Sequence, residues 1–233
     1  MHDSYQLITL TDVKQDTTEI LSTLSTLCKG TLANDLRLLN YYQSIPVTYG
    51  ATVEHVDRDV VELGVTQQQA VVMHLEKQVF LKSAHFPRDV LAAVSYVNIA
   101  KCRALVSKFA YVLIRAERRE CVRVQVRGKT EAEFFAPGVR IAGQLFDISL
   151  SGIAITADPA SPPEQGFRGM VTLRLPGGPF EVAGEFIRVV EVQGHRLCIL
   201  AIKPDNRLEK VISQFIFQRQ VEVIRELKDK IVG

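Results

Sequence analysis

The sequence contains no tryptophan, three methionines and only 7% aromatic residues, so it offers few stacking platforms for nucleic-acid bases. Its four cysteines (Cys28, Cys102, Cys121, Cys198) lie far apart, with no CxxC pair and no histidine at ligand spacing. That spacing excludes a zinc ribbon or a disulfide scaffold and suits a reducing compartment. No metal is expected. Long apolar runs are missing too. The longest, residues 90–114, is interrupted by Lys101, Arg103 and Lys108, whereas a membrane span needs about 20 apolar residues. The first residues show no basic segment leading into an apolar one, hence no signal peptide. A cytoplasmic protein without membrane insertion is the expectation.

The motifs of common enzymes are lacking as well. There is no GxxxxGK, GxGxxG, HExxH or GxSxG, and the five histidines (His2, His55, His74, His85, His195) are scattered. No carboxylate pair stands out, and Asp147 and Ser149 have no histidine nearby in sequence. Nothing asks for an enzyme.

What is present is an ordinary globular composition of 233 residues, 47% hydrophobic and 23% charged. That length is enough for one large or two small domains. Residues 10–40 read as helical: Thr11 or Asp12 caps, Ile20, Leu21, Leu24 and Leu27 recur at three- and four-residue steps, and Leu32, Leu36 and Leu39 continue them past a break at Gly30. Short β-branched runs follow at 52–56, 60–65, 71–75 and 79–82, then two longer ones at 90–100 and 104–114. This texture predicts an antiparallel sheet closing toward a barrel or sandwich.

A second strand-rich stretch runs from Cys121 to about Lys203, with strands at 121–127, 131–135, 139–148, 152–156, 170–175, 180–192 and 196–203. Pro137-Gly138, Asp158-Pro159 and Pro176-Gly177-Gly178-Pro179 supply the turns. About six antiparallel strands in so short a stretch predict a small closed barrel, which leaves no exposed edge. From Asn206 the chain reads as a helix with Leu208, Val211, Ile212, Phe215 and Ile216 on one stripe. The fold class is mainly β. It has two barrel-like domains, residues 1–114 (led by the helical segment) and 115–233, the latter with an arginine-rich connector at 115–123 and a C-terminal helix at 206–230.

Net charge is only +2, yet residues 115–129 hold six basic side chains (Arg115, Arg118, Arg119, Arg123, Arg127, Lys129) and two acidic ones. The basic charge is concentrated at the joint. In a strand, Val122, Val124 and Val126 would point inward and Arg123 and Arg127 outward. Guanidinium groups give planar bidentate donors for phosphate and flat faces for stacking. A solvated linker accounts for the charge equally well. Farther on, Asp147-Ile148-Ser149-Leu150-Ser151-Gly152 places a carboxylate and a hydroxyl two apart on extended chain, followed by a glycine that admits close backbone approach.

Together, Arg119-Glu120-Cys121-Val122-Arg123 and Asp147-Ile148-Ser149-Leu150-Ser151-Gly152 resemble the RxxxR and (D/N)xSxxG motifs of the PilZ domain family. Its members are receptors for the bacterial second messenger cyclic di-GMP. The resemblance covers roughly 115–233; Ser151 stands where many members carry a second glycine. It implies a cyclic di-GMP site made of Arg118, Arg119, Arg123, Asp147, Ser149 and Gly152. Arginine at 118, just before the motif, favours an intercalated pair of ligand molecules.

A β-rich domain ahead of the barrel is similar to the arrangement in flagellar-brake (YcgR-type) proteins. That likeness implies control of a bacterial protein partner, first of all the flagellar motor, with recruitment to the basal body. The alternatives are a PilZ effector acting on pili, attachment or polysaccharide export and, from another class, a nucleic-acid-binding barrel, which the low net charge and few aromatics disfavour.

Overall fold

The computed structural model describes residues 5–115, 121–159, 161–192 and 194–232. The chain divides into two compact units. One comprises Met1–Tyr42, Pro46–Arg119 and Val223–Gly233, the other Gln43–Ile45 and Glu120–Glu222.

In the first unit, β1 (Tyr5–Leu7) precedes α1 (Val13–Cys28), followed by β2 (Arg37–Tyr42), β3 (Ile45–Gly50), β4 (Thr52–Asp57) and β5 (Val60–Gly64). Then come α2 (Gln67–Glu76), β6 (Gln78–Lys82), β7 (Asp89–Asn98) and β8 (Arg103–Ile114). The Asp12 carboxylate starts α1 by accepting the Lys14 and Gln15 amides, both at 2.9 Å. Gly30, at φ +70°, ends the helical stretch just past Cys28. Ile20, Leu24 and Leu27 face inward and pack α1 over β4 and β8.

The helix does not extend to Asn40 as the leucine spacing predicts: Leu38, Leu39 and Asn40 belong to β2, all of them buried. Nor is 71–75 a strand. It lies within α2, which Thr66 caps and Lys77 ends in the left-handed region at φ 57°. Ala70, Val71, Val72 and Met73 are all buried there, so the segment has no polar stripe to betray a helical period.

The strands form one antiparallel sheet in the order β3-β2-β6-β7-β8-β5-β4, with β1 on β8. Its main core unites the helices with the sheet through Ile20, Leu24, Met73, Leu81, Val106 and their neighbours. A smaller cluster on Phe80 is braced edge-on by the rings of Tyr5 and Tyr41, 5.5 and 6.4 Å away.

The second unit holds β9 (Val124–Gln125), β10 (Glu131–Ala136), β11 (Val139–Ile148), β12 (Gly152–Thr156), β13 (Arg168–Leu175), β14 (Gly178–Val192) and β15 (His195–Ile202). Pairing runs β10-β13-β14-β15-β12-β11, and β11 returns to β10, so six strands close into an antiparallel barrel, with β9 added along β11. Alternation fills it. Ala132, Phe134 and Ala136 of β10 turn inward with Ile141, Leu145, Val171 and Leu173, while Glu131 and Phe135 stay exposed. Each large interior side chain contributes about 1.5–3 kcal/mol of burial. Helix α3 (Asn206–Val232) begins where the Asp205 carboxylate accepts the Leu208 amide at 2.8 Å. Among the described residues no helix is long and apolar enough to cross a membrane, and no three His, Cys, Asp or Glu side chains cluster as metal ligands.

Candidate functional site

The candidate residues that the structure describes meet where β9, β11 and β12 run side by side. Strand β9 is short: only Val124 and Gln125 pair, opposite Ile148 and Asp147. The predicted 121–127 strand is therefore mostly irregular. Val122, expected inside, is 41% exposed, and Arg127 lies beyond the strand and is exposed. Val124 is fully buried beside Ile148, so its neighbour Arg123 turns to the opposite side, the side of Gln125 and Asp147.

A β-bulge aims Asp147 there. Ile141 and Leu145 point into the barrel, and regular alternation would send Asp147 inward after them. The register of β11 against β12 instead shifts between Leu145 and Asp147. One extra residue reverses the parity: Ile148 goes inward opposite Ile153, and Asp147 faces outward opposite the small side chain of Ala154. The Arg123 Nε and Asp147 Oδ1 atoms then stand 3.6 Å apart, an ion pair too long for a hydrogen bond. Their side chains are 25% and 10% exposed, so the arginine still reaches solvent while the carboxylate is enclosed.

Ser149 and Gly152 build the hairpin between β11 and β12. Both the amide and the hydroxyl of Ser149 donate to the Gly152 carbonyl, at 2.8 and 3.0 Å. These two hydrogen bonds from one residue close the turn. The hydroxyl's proton is committed to the backbone, which leaves its oxygen as an acceptor. Gly152 is required for a different reason. It pairs with Ala201 of β15, and a Cβ at this position would lie 2.9 Å from the Leu200 carbonyl oxygen. The Ser151 carbonyl accepts the Ile202 amide at 3.1 Å, holding the turn down on β15.

Asp147, Ser149, Gly152 and Arg123 are thus gathered on one rim of the barrel; Arg118 and Arg119 lie outside the described residues. Motif reading passed over two contributors. Neither the bulge that turns Asp147 outward nor the small Ala154 across from it has a sequence signal of its own. The bulge shows only as a parity break: Ile141, Leu145 and Ile148 cannot share one face of an unbroken strand.

This arrangement offers a partly open guanidinium, an enclosed carboxylate, a hydroxyl acceptor and a close-packed turn. A cation beside hydrogen-bond acceptors suits an anionic ligand with its own N–H donors, such as a guanine nucleotide.

Residues 117–218 match the model of the PilZ domain family. No curated protein matches the sequence. Among solved structures, YcgR of Escherichia coli in complex with c-di-GMP is 15% identical, covering 95% of this chain and 99% of that one at a TM-score of 0.45. The Bacillus subtilis inhibitor of motility (MotI/DgrA) is 13% identical, with 80% and 95% covered and a TM-score of 0.43. The MrkH–c-di-GMP complex of K. pneumonia is 11% identical, with 95% and 99% covered and a TM-score of 0.45.

Proposed function

From a chain that carries a PilZ domain at residues 117–218, we propose a receptor for cyclic di-GMP that catalyses nothing and acts by regulating a protein partner. The observation that carries this reading is the placement of Arg123 against Asp147 at 3.6 Å beside the Ser149–Gly152 turn. Arg123 would take a phosphate of the ligand or the face of a guanine, and the Asp147 carboxylate is an acceptor for guanine N–H donors. Ser149 adds its hydroxyl oxygen. Arg119, the first arginine of the motif, joins the clamp. Arg118, the residue before the motif, favours a second, intercalated ligand molecule.

In this reading residues 1–114 are the output domain and 115–233 the sensor. Several charge-assisted bonds, each worth about 1.5–3 kcal/mol, would order the 115–123 connector on ligand binding and so bias the arrangement of the two domains. The output is motility, through the flagellar motor, because a β-rich domain precedes the PilZ domain as in the flagellar-brake proteins.

Calorimetric titration of cyclic di-GMP into the full chain tests the proposal. Wild type binds and Arg123→Ala loses at least about tenfold in affinity, the equivalent of one charge-assisted bond. Arg118→Ala lowers the molar ratio more than the first-site affinity. No heat with wild type, or displacement of the messenger by single-stranded oligonucleotide with a steep salt dependence, would sink the receptor reading.

A further inference from the structure

Strand β9 brings a further polar side chain to the rim that carries Arg123 and Asp147. Gln125 stands directly opposite Asp147 in the register of β9 against β11. Residues so placed in an antiparallel pair share a face, with Cβ atoms about 4.5–5.5 Å apart. Gln125 is also two residues from Arg123, so all three side chains lie on the outer face while Val124 between them is buried. Gln125 is half-buried, and among the described residues its side-chain amide has no hydrogen-bond partner.

The two flanks of Asp147 differ. On β12 its neighbour is Ala154, fully buried and without a polar atom in its side chain. On β9 it is Gln125, whose amide holds both a donor and an acceptor. A guanine that gives its N1–H and 2-amino protons to the Asp147 carboxylate carries its O6 acceptor on the same edge, beside N1. The carboxylate satisfies the two donors and leaves O6 in need of one. Ala154 has none to give; the Gln125 amide has.

On the reading of the site as a cyclic di-GMP receptor, we propose that Gln125 is a specificity residue for the guanine base: its amide donates to O6 while Asp147 accepts the N1–H and 2-amino protons. An uncharged donor suits this position. Arg123 already stands 3.6 Å from the carboxylate, and a second cation opposite Asp147 would draw that carboxylate into an ion pair on its other side. The amide supplies a donor and leaves the acceptor to the base.

Calorimetric titration of the full chain with cyclic di-GMP and with its inosine counterpart, cyclic di-IMP, tests the assignment. Inosine lacks the 2-amino group and keeps O6 and N1–H. Gln125→Met keeps the length of the side chain and removes the donor. Affinity for both ligands should fall by the same factor, about fivefold, as for one neutral hydrogen bond. Gln125→Ala should lose as much, and both variants should keep the wild-type circular-dichroism spectrum; if one loses it, the other carries the comparison. Variants that bind as wild type does overturn the assignment and leave the receptor reading standing. A loss confined to cyclic di-GMP also overturns it, because the amide would then serve the 2-amino group. So does a loss in Gln125→Ala that Gln125→Met does not share, which would make Gln125 a packing residue. A wild type that binds neither ligand sinks the receptor reading itself, and this assignment with it.

Discussion

The two motif segments are held in different ways. Asp147, Ser149 and Gly152 belong to a hairpin of the closed barrel. They are buried, bonded through the turn, and pressed against the backbone of β15. Arg123 is attached to a two-residue strand, and its side chain is one-quarter exposed. The hairpin therefore supports the barrel itself, whereas the arginine is the partly open side chain to which the proposed function gives the reading of the ligand. Changes in the hairpin should cost stability first and binding second; changes at the arginine should do the reverse.

The largest effect on folding is expected from Gly152→Ala. Its new methyl would lie 2.9 Å from the Leu200 carbonyl, a backbone atom in a paired strand that cannot swing aside. Forced repacking of this kind costs about 1–3 kcal/mol. Urea denaturation should show a lower midpoint at an unchanged slope. An alanine variant as stable as wild type would mean that β12 and β15 have slack, and the contrast with Arg123 would fail.

Asp147→Ala comes next. It strips the enclosed partner from Arg123 and should cost about 1–3 kcal/mol along with ligand affinity. Arg123→Ala should cost less, about 1 kcal/mol or below, because its side chain is better solvated, while losing as much affinity. Equal stability losses in the two variants would show that both motif segments are structural. For Ser149→Ala the loss is smaller than for Asp147→Ala, about 0.5–1 kcal/mol, since the Ser149 amide keeps its 2.8 Å bond to Gly152 when the hydroxyl is gone.

The same contrast explains what could be read from the sequence. The barrel strands 131–135, 139–148, 152–156, 170–175, 180–192 and 196–203 were legible because turn residues bound each one and apolar side chains alternate along it. The first unit was legible only in part. Val71, Val72 and Met73 are β-branched or apolar and buried together, and a short wholly buried run has the same pattern in a helix as in a strand. What decides for the helix is the Thr66 cap and the left-handed Lys77, both outside the run.

Leu36 and Leu39 keep helical spacing with the leucines of α1 by coincidence; Asn34, bonded to the Ala51 carbonyl at 2.8 Å, directs the chain into the sheet. At the candidate site, the likeness of two short motifs to those of a known family named the residues; composition and spacing alone left a solvated linker and an ordinary turn as equal readings. The bulge at Leu145/Asp147, which depends on how two strands align, shows locally only as the parity break between Leu145 and Ile148.

The smallest effect is expected at Arg140, which serves as the control for charge alone. It donates to Glu133 at 2.6 Å on the outer face of the barrel, and both belong to exposed, ordinary sheet positions. The Arg140 hydrogen bond and charge hold the Glu133 carboxyl below its usual range. A lowered carboxylate pKa stabilises the folded state above the unfolded value, near pH 4.3, and the gain is lost as pH falls through the lowered value. Any difference between wild type and Arg140→Ala should therefore be fully present above about pH 4.3, fade as pH falls through the lowered value, and shrink with added salt. Because the pair is solvent-exposed, melting curves at neutral pH should nearly coincide. Ligand affinity should be unchanged. If Arg140→Ala weakens cyclic di-GMP binding as much as Arg123→Ala, the ligand surface extends over β10 and β11, and the distinction between a structural hairpin and a single reading arginine must be redrawn around the outer wall of the barrel.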